Sequence, residues 1–274
     1  MIKNIDVLII QNNAVLGNIS KNIENVGSLL KQYDGEKFDL ILLPEVWSVG
    51  WACYLFEKSA QTEFESQSLV FVQELAKKFN ANVIGGSYIR KLSDGKLRNT
   101  MPIINRDGKL IANYDKMHLF SNCGCNESSY VENGKSPVVV DLDFGRVGVS
   151  ICYDIRFPEI YRAYGKTGVD VLVNCASWPL SRPHHWDTLA RARAIENQAF
   201  MIAVSQAGVI ENDEYNLGHS QIISPFGEVV AKMGNGIGTL KTTIDISETK
   251  KLREKFPVLK DIHNIDDYKI LEVK

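Results

Sequence analysis

The 274 residues of this chain contain no long run of like charges, no extended apolar stretch, no Pro- or Gly-rich linker and no internal repeat. Each absence excludes something. The apolar runs stop well short of the roughly 18 consecutive residues that a membrane-spanning helix needs, so no membrane partner is expected. Lys plus Arg number 31 against 33 Asp plus Glu, a net charge of −2. Without a basic excess there is no electrostatic footprint for nucleic acid. The opening Met1-Ile2-Lys3-Asn4-Ile5-Asp6 meets an acid early, and its apolar run closes at Gln11-Asn12-Asn13. That is not the pattern of a secretory signal. The sequons at Asn18 and Asn126 carry no weight without one. Five cysteines, at 53, 123, 125, 152 and 175, are an odd number. They do not read as a disulfide framework, and a reducing, cytoplasmic compartment is expected.

What is present is ordinary globular composition, 45% hydrophobic and 23% charged, with enough length for a sizeable core. Short apolar strands alternate with helical patterns. Ile5 to Ile10, Phe38 to Leu43, Val83 to Ile89, Val169 to Asn174 and Phe200 to Ser205 read as strands. Residues 19–33 place Ile19, Ile23, Val26, Leu29, Leu30 and Tyr33 on one helical face, and residues 64–79 and 184–198 also read as helices. Turns at Gly108, Gly145 and Gly227 join apolar runs into hairpins. A helix follows Pro158, and Pro257 ends the last helix near Phe256, before a polar tail. The pattern predicts a single α/β domain over residues 1–274 with mixed sheet covered by helices.

Three residues stand out chemically. Cys152 ends the strand Arg146-Val-Gly-Val-Ser-Ile-Cys and precedes a turn into a helix, the position of a nucleophile elbow. Taken alone, such a cysteine is more often an inert core thiol. Glu45 closes the strand Asp39-Leu-Ile-Leu-Leu-Pro-Glu, at a strand end where α/β proteins place their sites; a solvated loop acid is the plain alternative. Lys116 follows a hairpin strand ending in Tyr114-Asp115. A lysine beside a thiol lowers the thiol's pKa and can hold an oxyanion, although an isolated lysine is usually just exposed. Cys123-Gly124-Cys125 with His118 lacks the two spaced pairs of a zinc site, so no metal is expected. His184-His185 at a helix start reads as structural or pocket-lining. Gly234-Asn-Gly-Ile-Gly matches no dinucleotide fingerprint. A thiol-redox role would want a Cys-X-X-Cys pair, which Cys152 lacks.

Together, Leu43-Pro44-Glu45, Tyr114-Asp115-Lys116-Met117-His118-Leu119-Phe120 and Gly148-Val-Ser-Ile-Cys152-Tyr-Asp-Ile-Arg-Phe-Pro-Glu159 resemble the nitrilase superfamily of carbon–nitrogen hydrolases, in its Glu, Lys, Cys order. Gly85-Gly86-Ser87, Asn99-Thr100, Ala192 to Asn197 and Gly218-His219-Ser220 add support, and the similarity runs from about residue 5 to about 257. The resemblance implies a four-layer αββα sandwich with two central mixed sheets and hydrolysis of a small-molecule amide without a cofactor. It implies Cys152 as nucleophile, Glu45 as base, and Lys116 with the backbone N–H of Tyr153 as oxyanion donors. It also implies a second glutamate, Glu127, and a homodimer; Phe157, Ile160, Tyr161 and Tyr164 would lie at the interface unless they pack on their own sheet.

The segment Cys152 to Glu159, with Trp178-Pro179, Arg182, His185-Trp186 and Ala192 to Gln198, looks like the omega-amidase group. Those enzymes cleave the terminal amide of 2-oxo acid amides. Hydrolysis of N-carbamoyl or other small amides is the related alternative, and a non-catalytic binding protein on the same fold is the different one. For an omega-amide, a cation must meet the free carboxylate. Arg156 and Arg182 are the candidates, with Trp178 as an apolar wall. Either arginine could instead serve a structural ion pair, Arg156 with Glu159 for example.

Overall fold

Strand β1 (Asn4–Gln11) is apolar on both faces because both are covered. In this computed structural model, which describes residues 4–122, 126–211 and 213–263, Ile5, Val7 and Ile9 face a core shared with a second sheet. Leu8 and Ile10 point the other way, into a core closed by helices. The period of two along a strand makes that division. The pattern repeats along the parallel strands, whose Val, Ile and Leu runs lack polar alternation.

The strands that follow are β2 (Leu40–Leu42), β3 (Asn82–Ile84), β4 (Tyr88–Lys91), β5 (Leu97–Ile104), β6 (Leu110–Asp115), β7 (Val138–Leu142), β8 (Gly145–Ile151), β9 (Val171–Ala176), β10 (Phe200–Ser205), β11 (Ala207–Val209), β12 (Tyr215–Leu217), β13 (Gln221–Ile223), β14 (Val229–Lys232) and β15 (Gly238–Asp245). One seven-stranded sheet runs β15-β1-β2-β3-β5-β4, with β6 on β5; a six-stranded sheet runs β14-β13-β10-β9-β8-β7. In each, three strands are parallel (β1-β2-β3 and β8-β9-β10) and the flanking strands antiparallel. Both sheets are therefore mixed. A short ribbon, β11-β12, stands apart.

Helices α1 (Ile19–Leu30) and α3 (Gln67–Phe79) cover the outer face of the first sheet, while α4 (Pro158–Lys166) and α5 (Pro183–Asn197) pack with the second. The short α2 (Phe56–Ser59) lies between α1 and α3 in sequence, and α6 (Ser247–Lys255) follows β15. The layers are the expected αββα. Local chemistry sets the helix ends: the Asn18 and Ser66 side chains accept hydrogen bonds from Lys21 and Leu69 N–H groups, relieving donors that a helix start leaves unpaired. Asn18 is thus a helix cap. No described helix is long and apolar enough to cross a membrane.

Three expectations change. The helix read over residues 19–33 ends at Leu30, and Lys31–Tyr33 tighten into a 3₁₀ turn. The run Val83 to Ile89 is two strands, because Gly85-Gly86-Ser87 leaves the sheet to support another turn. Ile160, Tyr161 and Tyr164 are at most 4% exposed. Tyr164 donates to the Val149 carbonyl, and its ring lies where a Cβ on Gly148 would come within 2.8 Å. Tyr161 shares a hydrogen bond with Ser150. These side chains pack on their own sheet and therefore do not mark an interface. The polar tail beyond His263 and Cys123-Gly124-Cys125 lie outside the described residues.

Candidate active site

Glu45, Cys152 and Ser177 each follow the carboxyl end of a parallel strand: β2, β8 and β9. The turn after β2 is held by the Gly85–Ser87 segment. The Val46 N–H donates to Ser87 Oγ (2.9 Å) and Trp47 Nε1 to the Gly85 carbonyl (3.0 Å). Gly86 has φ +63°, and a Cβ there would sit 2.0 Å from the Pro44 carbonyl oxygen, so only glycine fits. Val46 itself has φ +40°, an unfavourable conformation for a β-branched residue. The Glu45 carbonyl accepts from Gln206 Nε2 at 2.8 Å.

Cys152 has φ +47° and opens a 3₁₀ turn, Cys152–Arg156. The first N–H groups of such a turn have no partner within it, and Tyr153 supplies one. A fully buried Asp154 fastens this elbow to the segment carrying Lys116. Its Oδ2 accepts from Ile151 N–H (2.9 Å) and Tyr114 O–H (2.7 Å). Its Oδ1 accepts from His118 N–H (2.9 Å) and lies 2.8 Å from His118 Nδ1. The His118 ring stacks on Phe157 with centroids 3.7 Å apart.

Lys116, fully buried, reaches between two buried carboxylates: Nζ lies 2.9 Å from Glu45 Oε1 and 2.8 Å from Glu127 Oε2. Asn99 Nδ2 donates to the same pair, to Glu45 Oε1 at 2.9 Å and Glu127 Oε1 at 3.1 Å. The Ser177 N–H donates to Glu45 Oε2 (2.9 Å) and the Phe120 N–H to Glu127 Oε2 (2.7 Å). The Trp51 ring, 4.8 Å from the ammonium, closes one side.

Burial works against the Lys116 charge, but Glu127, Glu45 and Cys152 outweigh it and hold the ammonium well above its ordinary pKa. Burial pushes the Glu127 carboxyl up, with Lys116 opposing and Glu45 adding to the rise. Burial and the negative charge of the neighbouring Glu45 push Cys152 well above the usual thiol range; Lys116 opposes without prevailing. The thiol itself donates to the Ser177 carbonyl at 3.8 Å. The lysine does lower this thiol's pKa as expected, but burial and Glu45 outweigh it and the net shift is upward. A dry cavity penalises the thiolate more than one shared ammonium helps it.

Cys152 lies at the foot of a cavity of about 450 Å³, lined also by Tyr153, Ser177, Trp178, Arg156 and Arg182. The Arg156 guanidinium sits 4.9 Å from the Trp178 ring centre and 5.8 Å from that of Tyr153, with a 3.2 Å contact to His185 Nδ1. Burial and the neighbouring Arg182 lower its pKa. The Arg182 guanidinium faces the Phe120 ring at 5.8 Å, and its carbonyl accepts from Trp178 Nε1 at 2.9 Å. An acid beside the thiol, a cation within the same cluster and the backbone N–H groups of the elbow are what acyl transfer requires.

The family model described as carbon-nitrogen hydrolase matches residues 7–254. The chain belongs to that family. A 2-oxoglutaramate amidase of Bacillus subtilis (strain 168) is 36% identical over 247 residues, covering 90% of this chain and 93% of that protein. Omega-amidase NIT2-A of Xenopus laevis is 32% identical over 258 residues, covering 90% and 93%. The crystal structure of Saccharomyces cerevisiae Nit3, a member of branch 10 of the nitrilase superfamily, superimposes with a TM-score of 0.85 at 28% identity, covering 93% of this chain and 95% of that one.

In this carbon-nitrogen hydrolase, Glu45, Lys116 and Glu127 meet as the motifs implied, although they are far apart in sequence. Arg156, Arg182 and Trp178 share the cavity with Cys152. Arg156 is in no ion pair among the described residues, so a Glu159 partner is not found. Sequence reading missed Asp154, Gln206 and the part played by Asn99. Asp154 and Asn99 were visible only as members of the motif strings, with nothing local to show which distant groups they touch. Among the described residues no group of three or more His, Cys, Asp or Glu is placed to hold a metal; His118 is engaged with Asp154.

Proposed function

We propose that this chain is an omega-amidase-like hydrolase that converts the terminal amide of a 2-oxo dicarboxylic acid to acid and ammonia through a thioester on Cys152. One observation carries the choice of substrate. Arg156, held by Trp178 and His185, lines the same cavity as the thiol, beside a second arginine and with no carboxylate partner in an ion pair among the described residues. A substrate carboxylate would complete it. The relatives named as amidases of 2-oxoglutaramate support the same choice.

In the proposed mechanism the thiol is neutral in the resting site, since burial and Glu45 disfavour the thiolate. It therefore needs a base at the moment of attack. Glu45 takes the thiol proton as sulfur adds to the amide carbonyl. The negative oxygen is met by Lys116 and the Tyr153 N–H, each such donor contributing about 2.7–4 kcal/mol. Glu45 returns the proton to the departing nitrogen, ammonia leaves and the thioester remains. Water, deprotonated by Glu45, then attacks; the C–S bond breaks and the acid is released with the thiol restored. Glu127 keeps Lys116 in place and charged.

The test compares 2-oxo acid omega-amides with amides of equal length lacking the carboxylate. The wild type is expected to prefer the former. Arg156→Gln or Arg182→Gln should cost about 10- to 100-fold in kcat/KM for the carboxylate substrate and little for the neutral one. Equal rates on both substrate classes in the wild type would overturn the omega-amide reading.

The 274 residues are further proposed to form one hydrolase domain. A cytoplasmic location is proposed because the chemistry needs a reduced thiol at Cys152. A homodimer rests on the family resemblance. Light scattering at micromolar concentration should give twice the 30.7 kDa chain mass; a stable monomer would exclude it.

A further inference from the structure

Asn99 touches every charged member of the cluster. Its side-chain nitrogen is within hydrogen-bond distance of one oxygen on Glu45 and one on Glu127, and its backbone carbonyl accepts the Lys116 N–H at 2.9 Å. The residue is 1% exposed. Its Oδ1 is buried with no hydrogen-bond partner, so the amide is oriented by its two donations alone. Turned over, it would aim an oxygen at two carboxylates. One ammonium serves two buried acids here, and Asn99 supplies further hydrogen bonding without further charge.

We infer that Asn99 is a positioning residue: its amide bridges Glu45 and Glu127 and holds both in register with Lys116, keeping Glu45 in the place from which it can act as a base. The other groups around Glu45 are Lys116 and Glu127 from the β6 end and the loop after it, Cys152 after β8, Cys175 on β9 and the Ser177 N–H. None of these changes in the experiment. Asn99 does not line the substrate cavity, so a positioning role predicts an effect on kcat and not on KM.

The inference rests on the reading of Glu45 as base, and a control separates the two. Asn99→Ser keeps one hydroxyl that cannot span both acids, and Asn99→Asp keeps the shape but adds a third acid. Activity is normalised to active protein by titrating Cys152 with a thiol alkylating reagent, so partial misfolding does not enter. Both variants should lose about 10-fold or more in kcat with KM within about twofold of wild type. Unchanged kcat per titrated site in either variant, or a loss carried by KM with kcat kept, would overturn the inference. The control is Glu45→Gln: near-complete loss upholds the base assignment, and retained activity overturns that reading instead.

Discussion

Cys152→Ala is expected to abolish turnover, a loss of at least about a thousandfold, while the protein remains folded. The backbone at this elbow sits at φ +47°. That conformation costs an ordinary L-residue roughly 1–2 kcal/mol and is borne equally by cysteine and alanine, so the exchange adds no backbone strain. Cys152→Gly should be just as inactive yet at least as stable as the alanine variant, because glycine adopts positive φ freely. Strain at the nucleophile would then appear as stability given up for function. Intact-protein mass spectrometry should find an acyl adduct on the wild type quenched during turnover and none on either variant. More than a trace of activity in Cys152→Ala, or an adduct elsewhere, would remove the thioester mechanism.

A second large effect is expected from Lys116→Met, which conserves bulk and removes the charge. The proposed oxyanion donor is lost, which by itself implies about a hundredfold or more in kcat. The two carboxylates that shared the ammonium are left in a dry site, and breaking a buried pair in this way typically costs about 3–5 kcal/mol. The stability defect should depend on pH with a definite sign. In the variant, Glu127, which burial and Glu45 already push up, loses the cation that opposed them, so its protonation is favoured in the folded state relative to the unfolded one. The folded state then binds more protons than the unfolded chain, and stability falls as pH rises through and above the ordinary carboxylate range. Chemical denaturation at pH 4 and at pH 7 should therefore show a smaller deficit at the lower value. An equal deficit at both would mean that the carboxylates are not what destabilises the variant.

The central parallel strands were legible because burial on both faces leaves unbroken Val, Ile and Leu runs; β11, β12 and the half-exposed β15 were not read, having no such run. Glu45, Lys116 and Cys152 were legible because their motifs arrive in order. Other features were not. Val83 to Ile89 reads as one strand; its interruption arises from the fit of Gly86 under the Pro44 carbonyl, a contact between separate segments. Ile160, Tyr161 and Tyr164 have a composition that suits an interface or a core equally, and only packing chooses the core. Asp154 looks like any acid after a cysteine until Tyr114, His118 and Ile151 are seen to converge on it.

From the sequence alone came the family, the mixed α/β architecture and the residue types able to carry amide hydrolysis, because strand burial, turn chemistry and the order of short motifs are all written in local neighbours. The tertiary structure alone decided the electrical state of the site. Whether Lys116 makes a thiolate of Cys152 depends on how much water surrounds the sulfur and on which acids share the ammonium. The answer, a thiol kept neutral beside Glu45 and an ammonium divided between Glu45 and Glu127, follows from burial and from distances of 2.8 and 2.9 Å between groups brought together by separate strands. Desolvation and Coulomb energies are functions of position in space, and the order of residues along a chain does not contain them until the chain has folded.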